Sequence, residues 1–145
     1  MAGSDEAGEQ MDIRIDCEPN LTVEEFRGVL VASTLGERRP VDEPERLERM
    51  LRQADLIVTA RDGERLVGVS RALTDFSYCC YLSDLAVDAA YQRRGIGKIL
   101  VEETHRLAGV EVTTLVLAAA PAAESYYPKI GMQPLASAWM VRRTR

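Results

Sequence analysis

At 145 residues the chain is the size of one domain and can bury a core without metals or disulfides. Its formal net charge of −5 speaks against a nucleic-acid binder that works through bulk positive charge and mildly favours a cationic partner. Three cysteines, Cys17, Cys79 and Cys80, with two adjacent, make no disulfide framework and read as reduced cytoplasmic thiols, with Cys79 and Cys80 expected to fill the core.

The single histidine, His105, leaves no zinc cluster, and no Ser-His or Cys-His pair unless His105 is itself the base. No apolar run approaches the roughly 18 to 20 residues that a membrane-spanning helix needs, so no membrane association is expected. Residues 1–11 are acidic and lack an apolar segment, so they read as a disordered leader rather than a secretion signal. Residues 12–145 then form one domain.

The elements follow in chain order. Ile13 to Cys17 alternates apolar and polar residues, as a half-buried strand does. Thr22-Val23-Glu24-Glu25 is a capping box that opens a helix to about Ser33, with Phe26, Val29 and Leu30 inward. A second helix runs from Pro44 to Ala54 on Leu47, Met50 and Leu51. Leu56–Ala60 and Arg65–Leu73 are strands joined by the turn Asp62-Gly63. Tyr78–Val87 is a third strand, nearly all apolar and therefore central, which completes an antiparallel meander.

A helix from Gly95 to Leu107 follows, with Ile96, Ile99, Leu100 and Leu107 on one side and Gly109 past its end. Thr113–Ala119 is another buried strand, reached by a crossover and hence parallel to Tyr78–Val87. Pro121 opens a short helix to Ile130, and Met132–Arg143 supplies one or two closing strands. The order βααβββαβαβ describes a mixed α/β sheet with one parallel strand pair.

The stretch Gln92-Arg93-Arg94-Gly95-Ile96-Gly97-Lys98 stands where a strand gives way to a helix. A glycine-rich turn there can aim unpaired backbone N–H groups at one anion, and the helix N-terminus adds partial positive charge. Arg93, Arg94 and Lys98 add to that field. A P-loop is excluded, because Gly95-Ile96-Gly97-Lys98 does not fit its spacing. A Rossmann fingerprint is excluded by Leu100 in place of the third glycine.

Gln92-x-x-Gly95-x-Gly97 after the strand ending Leu85-Ala86-Val87, with Tyr126-Tyr127-Pro128-Lys129-Ile130-Gly131-Met132 beyond the next strand, resembles the GNAT superfamily of acetyl-CoA-dependent acyltransferases. The resemblance covers residues 12 to 143. It implies that Leu85 and Val87 pair with the pantetheine arm through their backbone. It also implies that the Arg93–Lys98 turn holds the pyrophosphate, and that the Tyr78–Val87 strand bulges and splays from its parallel neighbour. A backbone N–H near Leu85 or Ala86 would polarise the thioester carbonyl, and Tyr127 stands at the position of the general acid. Pro128 departs from the commonest pattern and bends or tightens this helix, and Met132 replaces a phenylalanine.

Such chemistry asks for positioning, one carbonyl polariser and modest proton management, without a metal or a covalent nucleophile. The base is left open. Asp84 is one candidate, and Tyr81 and Ser83, alternating away from it, could relay through water. The expected activity is N-acetyl transfer by direct attack of an amine in a ternary complex. The rival is a non-catalytic acyl-CoA sensor on the same fold. The acceptor is a small-molecule amine or a protein amine, shaped by the early helices, Arg38-Arg39 and the turn at Thr74–Ser77. A homodimer is a reasonable assembly.

Overall fold

Five strands lie side by side in chain order: β1 (Ile13–Cys17), β2 (Leu56–Asp62), β3 (Arg65–Thr74), β4 (Cys79–Val87) and β5 (Thr114–Val116). The computed structural model describes residues 12–145, so the leader expected over residues 1–11 lies outside the described residues. Pairing is antiparallel from β1 through β4 and parallel between β4 and β5. The mixed sheet with one parallel pair is as expected.

Helices α1 (Val23–Ala32) and α2 (Pro44–Arg52) cover one face, and α3 (Ile96–Ala108) covers the other. Thr22 caps α1, its hydroxyl accepting the Glu25 N–H at 3.2 Å. The reciprocal half of the capping box is diverted, because the Glu25 carboxylate turns to Arg61 at 2.7 Å. Arg61 also forks onto Glu18, and this network ties the β1–α1 loop and α1 to β2. Beneath α1 and α2 the core is Phe26, Leu30, Leu47, Leu51, Ile57, Val69 and Ala86. Beneath α3 it is Val58, Ala60, Val67, Ile96 and Leu100.

Alternation along the sheet is broken where it matters for the site. The β3–β4 register pairs Arg71 with Asp84 and Ala72 with Leu82, which leaves Ser83 as an extra residue in a β-bulge. Cys80 packs on the α3 side with Ala108, whereas Ala86 packs under α1 and α2. The bulge has therefore changed which parity faces which helix layer. It also puts Ser83 and Asp84 on one side, both bound by Arg71. The expectation that Ser83 alternates away from Asp84 is thereby corrected.

Four other expectations change. Ile99 is exposed, and α3 buries Ile96, Leu100, Val101, Thr104 and Ala108 instead. Cys79 is exposed and only Cys80 fills the core. The helix expected from Pro121 splits into a 3₁₀ turn (Pro121–Ala123) and α4 (Tyr126–Lys129). Pro128 is tolerated there because it falls in the first turn, where backbone N–H groups have no intrahelical partner.

Finally, no strand forms over Met132–Arg143, and the element order ends βααβββαβα. With β5 only three residues long, its outer edge is too short to template a further strand. Leu135, Trp139, Met140 and Val141 stand exposed.

Candidate functional site

The site grows from the parting of two strands. β4 and β5 pair at Cys79–Thr114, Cys80–Leu115 and Tyr81–Val116, and then the pairing stops while β4 runs on to Val87. Beyond Tyr81 the outer edge of β4 therefore has no strand beside it among the described residues. The Asp88 N–H donates to Val67 O at 2.8 Å. Antiparallel alternation then commits the Asp84 and Ala86 backbones to β3 and turns the Leu85 and Val87 backbones to the open edge. Of the two residues expected to polarise a carbonyl, Leu85 has its N–H on the open edge and Ala86 does not. The Val87 carbonyl accepts the Gln92 side-chain amide at 2.9 Å, so Gln92 closes the end of β4.

The turn from Val87 to α3 is built by backbone conformation. Asp88 caps a 3₁₀ turn through the Ala90 N–H, and both Arg93 (φ 66°) and Gly95 (φ 82°) adopt the left-handed region before α3 begins at Ile96. A Cβ on Gly95 would meet nothing within 4 Å, so the space above this glycine is open. Arg93, Arg94 and Lys98 are exposed around it. Arg94 lies over the Tyr91 ring, 5.6 Å from its centroid, and Arg65 lies over the same ring at 5.4 Å. The Tyr91 hydroxyl donates to Asp62 at 2.7 Å, which fixes that ring.

Gly97 does something else. A Cβ there would come within 2.5 Å of the Tyr126 hydroxyl. This glycine seats Tyr126 against the first turn of α3, beside the Lys98 backbone N–H. Burial raises the Tyr126 phenol above its ordinary pKa and the Lys98 N–H partly offsets it. Tyr127 meets Tyr126 edge to face, with centroids 5.3 Å apart. Its phenol is also raised, first by burial and then by Tyr126, while the positive charge of Arg39 pulls the other way. Tyr127 is thus held protonated near neutral pH, with a cation in range.

Asp84 is fully buried, and its two oxygens are taken by two guanidinium groups, Arg39 on Oδ1 and Arg71 on Oδ2. Arg39 Nη2 also donates to Ser83 O at 2.8 Å, and Arg71 Nη2 donates to Ser83 Oγ at 3.0 Å. A carboxylate so engaged has each of its oxygens held by a guanidinium group. In this position Asp84 anchors the bulge. Arg71 joins this cluster from β3. Its signal in the sequence is a lone arginine inside the apolar run Val69-Ser70-Arg71-Ala72-Leu73, opposite a lone aspartate in the next strand.

A cavity of about 350 Å³ abuts the vertex of the slot, lined by Asp55, Leu73, Thr74, Asp75, Cys79, Cys80, Tyr81 and Val116. Tyr81 and Val116 are the last paired residues of β4 and β5. Asp75 is held ionised, its pKa lowered by the Ser77, Cys79 and Tyr78 backbone N–H groups. A larger cavity of about 570 Å³ lies between the starts of α1 and α2, and none of its lining residues belongs to the slot.

An open β4 edge with free amides, an unobstructed glycine turn and three exposed cations suit a ligand with an amide-bearing arm and a diphosphate. A family model described as an acetyltransferase (GNAT) domain matches residues 31–139. The chain belongs to the GNAT acetyltransferase family.

Among solved GNAT-like structures, a probable acetyltransferase of unknown function from methicillin-resistant Staphylococcus aureus superposes with a TM-score of 0.75 at 23% identity. That likeness covers 90% of this chain and 98% of the other. A GNAT family protein from Streptococcus pneumoniae gives 0.71 at 25% identity, over 90% and 99%. An aminoglycoside N-acetyltransferase, AAC(6')-Iy, solved in complex with CoA, gives 0.72 at 17% identity, over 94% and 97%.

A curated relative, the uncharacterized N-acetyltransferase ycf52 of Pyropia yezoensis, is 31% identical over 68 residues, 46% of this GNAT chain and 39% of the relative. The chain thus spans well under half the length of that relative. Among the described residues no helix is long and apolar enough to cross a membrane.

Proposed function

We propose that the chain is an acetyl-CoA-dependent N-acetyltransferase that acts on a small-molecule amine. The observation that carries this reading is the backbone edge of β4 left free by β5 at Leu85 and at the Val87 N–H, leading to the open turn at Gly95. When bound, acetyl-CoA supplies an acyl group already activated as a thioester.

The chain's own residues have limited work to do. Leu85 and Val87 offer backbone amide groups that an extended amide-bearing arm can pair with, as an added strand would. The first N–H groups of α3, with Arg93, Arg94 and Lys98, meet the charge of a diphosphate. The Leu85 N–H is the donor suited to polarise a carbonyl placed in the slot. Tyr127, a phenol already protonated at neutral pH, can give its hydroxyl proton to a leaving thiolate, whose thiol has an ordinary pKa of about 8.5; burial weakens it as an acid and the positive charge of Arg39 works against that.

A primary amine has a pKa of about 10 and must shed a proton before it attacks. Because Asp84 is engaged by two arginines, we assign that proton to water, with the exposed Tyr81 side chain available to relay it. The acceptor is placed in the cavity beside Tyr81 and Val116, where Leu73 offers apolar contact and Asp55 and Asp75 suit an amine's positive charge. Solved neighbours include an aminoglycoside acetyltransferase in complex with sisomicin, and polycationic amines of that kind belong among the acceptors tried.

Two measurements test the reading. Calorimetry should detect CoA binding, and a panel of aminoglycosides, polyamines and arylalkylamines should reveal at least one acceptor that releases CoA from acetyl-CoA well above hydrolysis. No CoA binding at millimolar concentration would refute acetyl transfer. Binding without turnover of any amine would favour a sensor.

A further inference from the structure

The β-bulge at Ser83 is the feature that sets the direction of the β4 edge. A bulge leaves one residue without a ladder partner, so its polar groups need other company. Here that company comes from a loop far away in sequence. Arg39, just past the 3₁₀ turn Leu35–Arg38, reaches across to β4. It gives one N–H to Asp84 and another to the Ser83 carbonyl, while its third nitrogen holds the Arg38 carbonyl. The Arg39 side chain is about one-fifth exposed, and Asp84 is wholly buried. Arg71 completes the arrangement from β3, through Asp84, the Ser83 hydroxyl and the Met50 carbonyl.

We propose that Arg39 is a positioning residue for acetyl transfer: by clamping Ser83 and Asp84 it fixes the bulge, and so aims the Leu85 N–H into the slot. The assignment rests on the acetyl-transfer reading above. Its geometry requires a planar fork. An ammonium could meet Asp84 or the Ser83 carbonyl, but a guanidinium meets both while also holding its own loop. Arg71 alone can keep Asp84 paired, so loss of Arg39 need not unfold the domain. What it removes is the second hold on the bulge, together with the cation near Tyr127. The same clamp ties the α1–α2 loop to the strand that presents the N–H.

The test compares the full-length chain with Arg39→Met and Arg39→Lys by four readouts. These are amide NMR of the unliganded protein, calorimetry with CoA, steady-state rates with the best amine of the panel, and thermal melting. In Arg39→Met the Ser83–Leu85 amide resonances should move while those of β1 stay. CoA affinity should change by less than about threefold, and kcat should fall by about a hundredfold, as misplacement of order an ångström costs. Added guanidinium ion should restore part of the loss. Arg39→Lys should keep the melting temperature but recover only a small part of kcat.

Unmoved Ser83–Leu85 resonances, or an unchanged kcat, would overturn the assignment. So would a loss of rate that Arg39→Lys repairs in full. A wild-type chain that neither binds CoA nor turns over acetyl-CoA would instead overturn the acetyl-transfer reading, and the catalytic side of the assignment with it. The amide resonances would still report whether Arg39 holds the bulge.

Discussion

Gly97→Ala separates two readings of the glycine pair at the start of α3. If Gly97 serves only the approach of a ligand backbone, a methyl group there should harm CoA binding and leave stability alone. The structure gives the reverse. The new Cβ would lie 2.5 Å from the Tyr126 hydroxyl and 3.3 Å from Cζ, so the hydroxyl is the obstacle. Overpacking of this kind costs about 1–3 kcal/mol, and replacing a helical glycine with alanine returns up to about 1 kcal/mol.

If the ring swings away instead, the lost contact with the Lys98 N–H costs about 1 kcal/mol. Either way Gly97→Ala should change stability by about 0–2 kcal/mol unfavourably, a fall of a few degrees in Tm at about 2–4 °C per kcal/mol. In a Tyr126→Phe background the nearest atom becomes Cζ, and the alanine should be neutral or stabilising. A double-mutant cycle by urea or thermal unfolding should therefore show coupling of about 1–2 kcal/mol between residues 97 and 126. Equal effects of Gly97→Ala in both backgrounds would refute the claim that this glycine seats Tyr126.

Gly95→Ala should behave differently: the left-handed backbone there (φ 82°) costs an alanine about 1–2 kcal/mol, with no rescue from Tyr126→Phe on denaturant unfolding. Tyr127→Phe should lower kcat by about a hundredfold or more while calorimetry shows CoA affinity unchanged; an unaltered rate would remove Tyr127 from proton transfer. The Glu18–Arg61 contact gives a pH dependence. The Arg61 hydrogen bond lowers the Glu18 pKa below its ordinary 4.5, with Thr59 helping and burial opposing. Its stabilisation is thus present above about pH 4.5 and lost as pH falls through the depressed value. Melting curves of Glu18→Gln should be lower than wild type near neutral pH and should converge with it in acid.

Much of this architecture could be read from residue patterns, because the strongest signals were local. Thr22 with Glu25, the Asp62-Gly63 turn and the apolar stripe of α1 each settle a few residues and need no partner. The motif around Gly95 was likewise legible, since a strand, two glycines and a helix occur in one short span. What could not be read depends on register. Period-two alternation assigns Asp84 and Ser83 to opposite faces, and only the pairing with β3 reveals the bulge that joins them. The double engagement of Asp84 needs Arg39 and Arg71, which are remote in sequence. The seat of Tyr126 on Gly97 joins two motif residues that alternation and periodicity treat separately. The Met132–Arg143 segment has strand-like composition, yet composition does not reveal that β5 stops at Val116 and offers little edge.

The bulge also divides β4 into two segments with opposite reading frames. Cys80 belongs to the layer under α3, and so do Leu85 and Val87, although their parity differs. A substitution library that treats this strand as one uninterrupted alternation would send polar residues into the wrong core on one side of Ser83. Deleting Ser83 would erase the offset between the two segments. Asp84 would then follow Leu82 directly and stay on the side of α1 and α2, but the Ser83 carbonyl and hydroxyl that the two arginines hold would be gone. One inserted residue thus gives two arginines their grip on the strand without moving either core layer.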